Sequence, residues 1–163
     1  MAKAHTDAAV PSTYLVALGG NVRTRAGRPR DVLETIVLPG EVARSGTVAS
    51  RPHGPSWRCY ANAVAVVESD LSPPALLAVL KQIEAAHGRL RGRRWGPRPI
   101  DLDIIGWSGG IWTSPGLTVP HPGFRRRRFV LDPLVELAPG WRDPVTGLTA
   151  RQLRARLRRR MPV

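Results

Sequence analysis

Apolar residues fall along this chain in short runs, some with strand spacing and some with helix spacing. Tyr14 to Leu18 is a continuous apolar run that predicts a buried first strand, ended by Gly19-Gly20-Asn21. Arg30 to Leu38 predicts a short helix stopped by Pro39-Gly40, and Val42 to Ser50 predicts a strand. Arg51 to Cys59, with two prolines and a glycine, reads as a loop before a strand over Tyr60 to Val67. The clearest helix opens at Ser72, an N-cap, with Pro73 at its first position. Leu76, Leu77, Leu80 and Ile83 then form a helical apolar stripe, with Glu84 near its end. Ile100 to Ile105 predicts another strand, which Gly106-Trp107 weakens at its far end, followed by a Gly-rich, hairpin-like region around Ser108 to Gly110. Arg127 to Leu137 predicts a helix despite Pro133, ended by Ala138-Pro139-Gly140. Thr149 is placed to cap a last helix with Leu153 and Leu157 inward and its arginines outward. The mixed order predicts an α+β fold, a sheet with helices packed on it.

A length of 163 residues suits one domain with a real core, here residues 13–163 behind a flexible leader, 1–12. The formal net charge of +13 favours anionic partners: nucleic acid, anionic membrane or phosphorylated small molecules. Arginine supplies 23 of the basic residues and lysine 2, a bias that GC-rich coding also produces. Local arginine placement therefore weighs more than the total. Cys59 is the only cysteine, so neither an internal disulfide nor a cysteine zinc site can form. The first residues lack the apolar stretch of a signal peptide, and no run approaches bilayer-spanning length, so a cytoplasmic protein is expected.

The segment Arg94 to Ile104, RWGPRPIDLDI, carries the chemistry. Asp101 and Asp103 lie two residues apart within the apolar run Ile100, Leu102, Ile104 and Ile105. A strand points residues i and i+2 to one face, about 6–7 Å apart. Aspartate is a poor strand former, so a pair on one face calls for a cause. Magnesium supplies one, because it binds one or two carboxylates and completes its shell with water and substrate phosphates. A solvated acidic face is the plain alternative, and a D-x-D alone does not decide between them. Upstream stand Arg89, Arg91, Arg93, Arg94 and Arg98, threaded with Gly88, Gly92, Gly96, Trp95 and Pro97. Arginine forks suit phosphate oxygens, and paired carboxylates beside them fit phosphoryl-type transfer. There is no G-x-x-x-x-G-K-[ST] loop, and the only lysines are Lys3 and Lys81. P-loop and protein-kinase mechanisms, each requiring a placed lysine, are excluded.

Taken together, Gly19-Gly20-Asn21, Tyr60 to Val64 (YANAV), Glu84 with Gly88-Arg89, the RWGPRPIDLDI block, Leu117 to His121 (LTVPH) and Arg127 to Pro139 resemble the 6-hydroxymethyl-7,8-dihydropterin pyrophosphokinase family. The resemblance implies a ferredoxin-like, mostly antiparallel sheet flanked by helices in three layers, α/β/α. It implies transfer of pyrophosphate from ATP to the hydroxymethyl group of a reduced pterin, releasing AMP, in folate biosynthesis. Asp101 and Asp103 match the ligands of two Mg2+ ions. Arg89 and Arg98 match mobile-loop arginines that grip phosphates, and Trp95 the loop tryptophan that closes on both substrates. Glu84, Arg91, Ile104, Thr118, His121 and Arg127 match further ATP contacts. Tyr60 and Phe129 match rings that sandwich the pterin, with Asn62 on its amide edge and Gly19, Ser50 and Pro52 beside it. Departures from the usual pattern are Gly20 for serine, Ala61 for a larger apolar residue, Lys81 for glutamine and Pro122 for an aromatic. ATP and a reduced pterin are then the expected partners of a monomer or weak dimer, with neither membrane nor nucleic acid expected. Two other readings stand beside this one. The first is a paralogue acting on another pterin. The second is a nucleic-acid-binding protein that has lost catalysis, drawn from Arg125 to Arg128 and from Arg151, Arg154, Arg156 and Arg158 to Arg160. That tail also reads as a solvated helix face, and it lacks the interleaved aromatics of a base-stacking platform.

Overall fold

The structure, a computed structural model, describes residues 11–24, 27–50, 59–88 and 99–160. Two long central strands, β1 (Ser12–Gly20) and β4 (Tyr60–Ser69), pair antiparallel along their whole length. β5 (Asp101–Trp107) flanks β1. β2 (Glu41–Arg44) and β3 (Val48–Ser50) pair with opposite ends of β4. The order across the sheet is β2-β4-β1-β5, and every pairing is antiparallel. A small hairpin, β6 (Trp112–Ser114) and β7 (Leu117–Val119), stands apart. Four α-helices complete the described residues: α1 (Pro29–Thr35), α2 (Pro73–Ala86), α3 (Arg128–Leu137) and α4 (Ala150–Arg160).

Strand alternation divides the core. Tyr14, Val16 and Leu18 of β1 join Ala63, Ala65, Leu102 and Ile104 with Leu33 of α1 and Leu76 and Leu80 of α2. Leu15, Val64 and Ile105 instead join Val130, Leu131 and Leu134 of α3 and Leu153 of α4. The last helix begins as its sequence predicts. Thr149 N–H donates to Gln152 Oε1 at 2.9 Å, and Gln152 N–H donates back to Thr149 Oγ1 at 3.2 Å, a reciprocal cap. The helix over Pro133 also forms, and the hairpin-like region becomes the turn before β6.

Three predicted elements differ. The strand expected over Val42 to Ser50 is two strands, interrupted at Ser45. Ser45 N–H donates to the Val64 carbonyl at 2.9 Å, but Val64 N–H donates to Ser45 Oγ at 3.0 Å. A side chain thus takes the ladder position of a backbone carbonyl, and the chain leaves the sheet there. Gly46 N–H turns instead to Glu136 Oε1 on α3 at 2.9 Å. The first helix ends at Thr35, not Leu38. Beyond it Ile36 and Leu38 are buried on either side of Val37, which is 80% exposed, a strand-like alternation. Arg44 donates to the Leu33 and Ile36 carbonyls and so occupies the end of the helix. Finally, β5 runs through Gly106 to Trp107 where a weakened strand was expected. Gly106 is there for close approach, since a Cβ would lie 2.7 Å from the Trp141 ring.

β5 is the outer strand of the sheet order, and α2 satisfies its open edge. Leu102 N–H donates to Glu84 Oε1 at 2.6 Å, and Lys81 Nζ donates to the Leu102 carbonyl at 3.0 Å. Lys81 and Glu84, one helical turn apart, also pair with each other at 2.7 Å. Two side chains thus occupy edge groups that would otherwise invite another strand.

Candidate active site

The register of three strands builds the site. Asn62 on β4, Gly19 on β1 and Asp101 on β5 are cross-strand partners in one row. Directly paired residues share a sheet face. Asp103, opposite Ala17, lies two residues further along β5 on that same face. Two inter-strand spacings, about 9–10 Å, separate Asn62 from Asp101, with a glycine between them. The face therefore carries a carboxamide at one end, two carboxylates at the other and a floor without a side chain.

Asn62 is buried, and its orientation is set by its neighbours. Its Nδ2 donates to Ser50 Oγ at 2.9 Å and approaches the Val48 carbonyl at 3.5 Å. A carbonyl only accepts, so the amide nitrogen must face it. Oδ1 is left on the Gly19 side, 3.6 Å from where a Gly19 Cβ would stand. Tyr60, at the start of β4 opposite Ser50, and Phe129, in the first turn of α3, are half-buried.

His121 follows β7 and senses both carboxylates. Burial is the largest influence on its imidazole and lowers its pKa below the ordinary value. Asp103 and Asp101 work against that shift, and Arg127 adds to it. Gly123 N–H donates to His121 Nδ1 at 3.0 Å, which leaves the proton of the neutral ring on Nε2. The segment carrying these residues is pinned from behind. Phe124 is fully buried and meets Trp141 edge-on at 5.8 Å. Arg125 forms a two-pronged pair with Asp143, both bonds 2.6 Å. The Arg127 guanidinium lies 6.0 Å from the Phe129 ring centre.

The Glu84 carboxylate, 1% exposed, accepts from Leu102 N–H and Lys81. The Ile104 side chain is buried in the α2-side core, which leaves its backbone as the part a ligand could meet. Thr118 is exposed on β7 opposite Thr113. Arg89, Arg91, Trp95, Arg98 and Pro52 lie outside the described residues.

Two contributors escaped the sequence reading. Gly123 fixes the histidine tautomer, and its signal was a glycine two residues after His121 in a His-Pro-Gly turn. Lys81, noted only as a departure, stands 3.8 Å from Asp103 Oδ1. Its signal was one of only two lysines in a chain whose other basic residues are 23 arginines.

Among the described residues no cluster of three or more His, Cys, Asp or Glu could enclose a metal. Two carboxylates on one strand face nevertheless fit Mg2+, which takes few protein ligands and completes its shell with phosphate oxygen and water. Such a pair, with a histidine and an arginine nearby and a carboxamide one short corridor away, fits the class of enzymes that transfer phosphate groups to a polar ring. The chain belongs to the 7,8-dihydro-6-hydroxymethylpterin-pyrophosphokinase (HPPK) family, whose profile matches residues 15–139. It is 40% identical over 142 residues to a Synechocystis protein named 2-amino-4-hydroxy-6-hydroxymethyldihydropteridine pyrophosphokinase, covering 85% of this chain and 73% of that one. A Methylorubrum extorquens protein of the same name is 38% identical over 148 residues, covering 87% and 91%. The fold is similar to that of Plasmodium falciparum HPPK-DHPS solved with pteroate, at TM-score 0.70 and 15% identity. That match covers 93% of this chain and 45% of the Plasmodium chain, so this protein spans less than half its length.

Proposed function

We propose that this protein transfers pyrophosphate from ATP to the hydroxymethyl group of 6-hydroxymethyl-7,8-dihydropterin, releasing AMP, in folate biosynthesis. The observation that carries the reading is the single cross-strand row Asn62–Gly19–Asp101, with Asp103 beside it. One end suits a heterocycle and the other a polyphosphate, at a separation close to that between a pterin ring and the phosphate it attacks.

Asn62 Oδ1 accepts a ring N–H of the pterin, while Ser50 holds the amide from behind. Tyr60 and Phe129 cover the ring faces, with Gly19 and Pro52 beside them. Gly19 leaves room for the hydroxymethyl arm to cross toward Asp101. The hydroxyl oxygen then attacks the β-phosphorus as the bond from that phosphorus to the bridging oxygen breaks, AMP departs with that oxygen and its electron pair, and the hydroxyl proton passes to water. Asp101 and Asp103 hold Mg2+, which when bound neutralises charge on the phosphate chain. His121 donates from Nε2 to a phosphate oxygen, and Arg127 supplies charge from the same side. Glu84, Ile104 and Thr118 border the nucleotide, Ile104 through its backbone. Arg89 and Arg98 grip the phosphates, Arg91 lines the nucleotide site and Trp95 closes on the substrates. The proposal extends to a ferredoxin-like, three-layer arrangement, a single catalytic domain over residues 13–163, and a cytoplasmic monomer or weak dimer. No helix among the described residues is long and apolar enough to cross a membrane.

A coupled AMP-release assay with the reduced hydroxymethyl pterin tests the reading. AMP formation that requires both pterin and Mg2+ is expected. Absence of pterin-dependent AMP formation would overturn it.

A further inference from the structure

Lys81 is held in place by α2 and β5 together. Its Nζ donates to Glu84 Oε1 at 2.7 Å and to the Leu102 carbonyl at 3.0 Å, and the side chain is 40% exposed. Glu84 is itself fixed by Leu102 N–H. From that position the ammonium reaches round the outer edge of β5 to within 3.8 Å of Asp103 Oδ1. This distance is too long for a hydrogen bond but short for a Coulomb interaction. Asp103 thus has a compensating charge beside it, two of whose three donors are directed elsewhere. An arginine could bridge two carboxylates with its fork, whereas the compact ammonium compensates charge without covering the oxygens.

We propose that Lys81 is a resident counter-cation that keeps the Asp101–Asp103 pair a weak divalent-cation site until polyphosphate arrives. The inference rests on that pair being the cation site of the proposed pyrophosphokinase. A divalent ion approaching alone meets a fixed positive charge beside one of its ligands. The same ion arriving with a polyphosphate brings anionic charge that offsets Lys81. Cation and nucleotide binding are thereby coupled, and each strengthens the other by the same factor.

Mn2+ serves as the probe, with free ion measured by electron paramagnetic resonance on the full chain without nucleotide. Lys81→Gln removes the charge and keeps a donor for the Leu102 carbonyl. It is expected to bind Mn2+ about tenfold more tightly than wild type, a gain that shrinks when a non-hydrolysable ATP analogue is present. A second comparison needs no change at position 81. In a Lys3→Arg protein, Lys81 is the sole lysine and can be acetylated, which removes its charge, or dimethylated, which keeps it. Tighter Mn2+ binding in the acetylated protein alone is expected, and this arm decides if Lys81→Gln does not fold. Equal or weaker Mn2+ binding once the charge is removed would overturn the role of Lys81. Asp103→Ala separates that failure from the larger one: if wild-type Mn2+ binding survives this change, the carboxylate pair is not the cation site.

Discussion

Asn62 and Gly19 face one another across the β1–β4 ladder, with Asn62 Oδ1 3.6 Å from where a Gly19 Cβ would stand. That is ordinary van der Waals distance, so one methyl fits and a branched side chain must push into the corridor between Asn62 and Asp101. Gly19→Ala is expected to stay within about twofold of wild type in kcat/KM, whereas Gly19→Val is expected to lose at least about tenfold by misplacing one substrate against the other. Valine is a good strand former, so the thermal midpoint should hold. Steady-state AMP release and a thermal melt on both variants check this, and full activity in Gly19→Val would show that nothing crosses there.

Asp101 and Asp103 share a sheet face, and the Lys81 ammonium stands 3.8 Å from Asp103 Oδ1. Asp101→Ala and Asp103→Ala are each expected to slow AMP formation by about 10³-fold or more. Neither lies in a hydrophobic cluster, so circular dichroism should report an intact fold. Wild-type turnover in either variant would remove the cation from its assigned place.

The alternation around Leu102 was enough to set Asp101 and Asp103 on one face, because a strand's period of two leaves no other choice. The row joining Asp101 to Asn62 was not legible. Register depends on which residues pair across three strands distant in sequence, and no local pattern encodes that pairing. Local signals also misled where a side chain replaced a backbone partner. Ser45 interrupts a strand that its flanking apolar residues predict as continuous. Gly106 reads as a weak point and is instead the space that Trp141 occupies. The Lys81–Leu102–Glu84 arrangement joins a helix face to a strand edge, and each half alone reads as an ordinary surface.

His121 gives the site a pH dependence whose sign follows from burial. Its pKa is lowered on folding, chiefly by burial and against the pull of Asp103. Above the unfolded value, about 6.5, both states are neutral and the residue contributes no pH dependence. As pH falls through that value toward the folded one, the unfolded chain takes up a proton that the folded chain resists, and stability declines. His121→Asn, whose Oδ1 takes the place of Nδ1 and can still accept the Gly123 N–H, is expected to lose that part of the decline. Urea unfolding of both proteins at several pH values on either side of the ordinary histidine pKa isolates the term. A His121 that titrates at or above the ordinary value by NMR would contradict it.

Asp143 is a fully buried carboxylate outside the site that nevertheless holds the site's backbone in place. Burial pushes its pKa up, but hydrogen bonds from Arg125, Thr146 and Val145 N–H outweigh that and hold it below the ordinary value. Arg125 lies between Gly123 and Arg127, so its two-pronged pair anchors the segment that presents His121 and Arg127. Removing one partner leaves the other charge without its match. Asp143→Ala is therefore expected to cost about 3 kcal/mol of stability, read from urea midpoints. In the wild type this contribution is present above the ordinary aspartate pKa and declines as pH falls below it toward the folded value. Asp143→Ala should flatten that acid limb and, at a temperature where it is folded, raise KM for ATP more than KM for the pterin. If both KM values rise equally, Asp143 serves the fold as a whole and not the nucleotide side of the site.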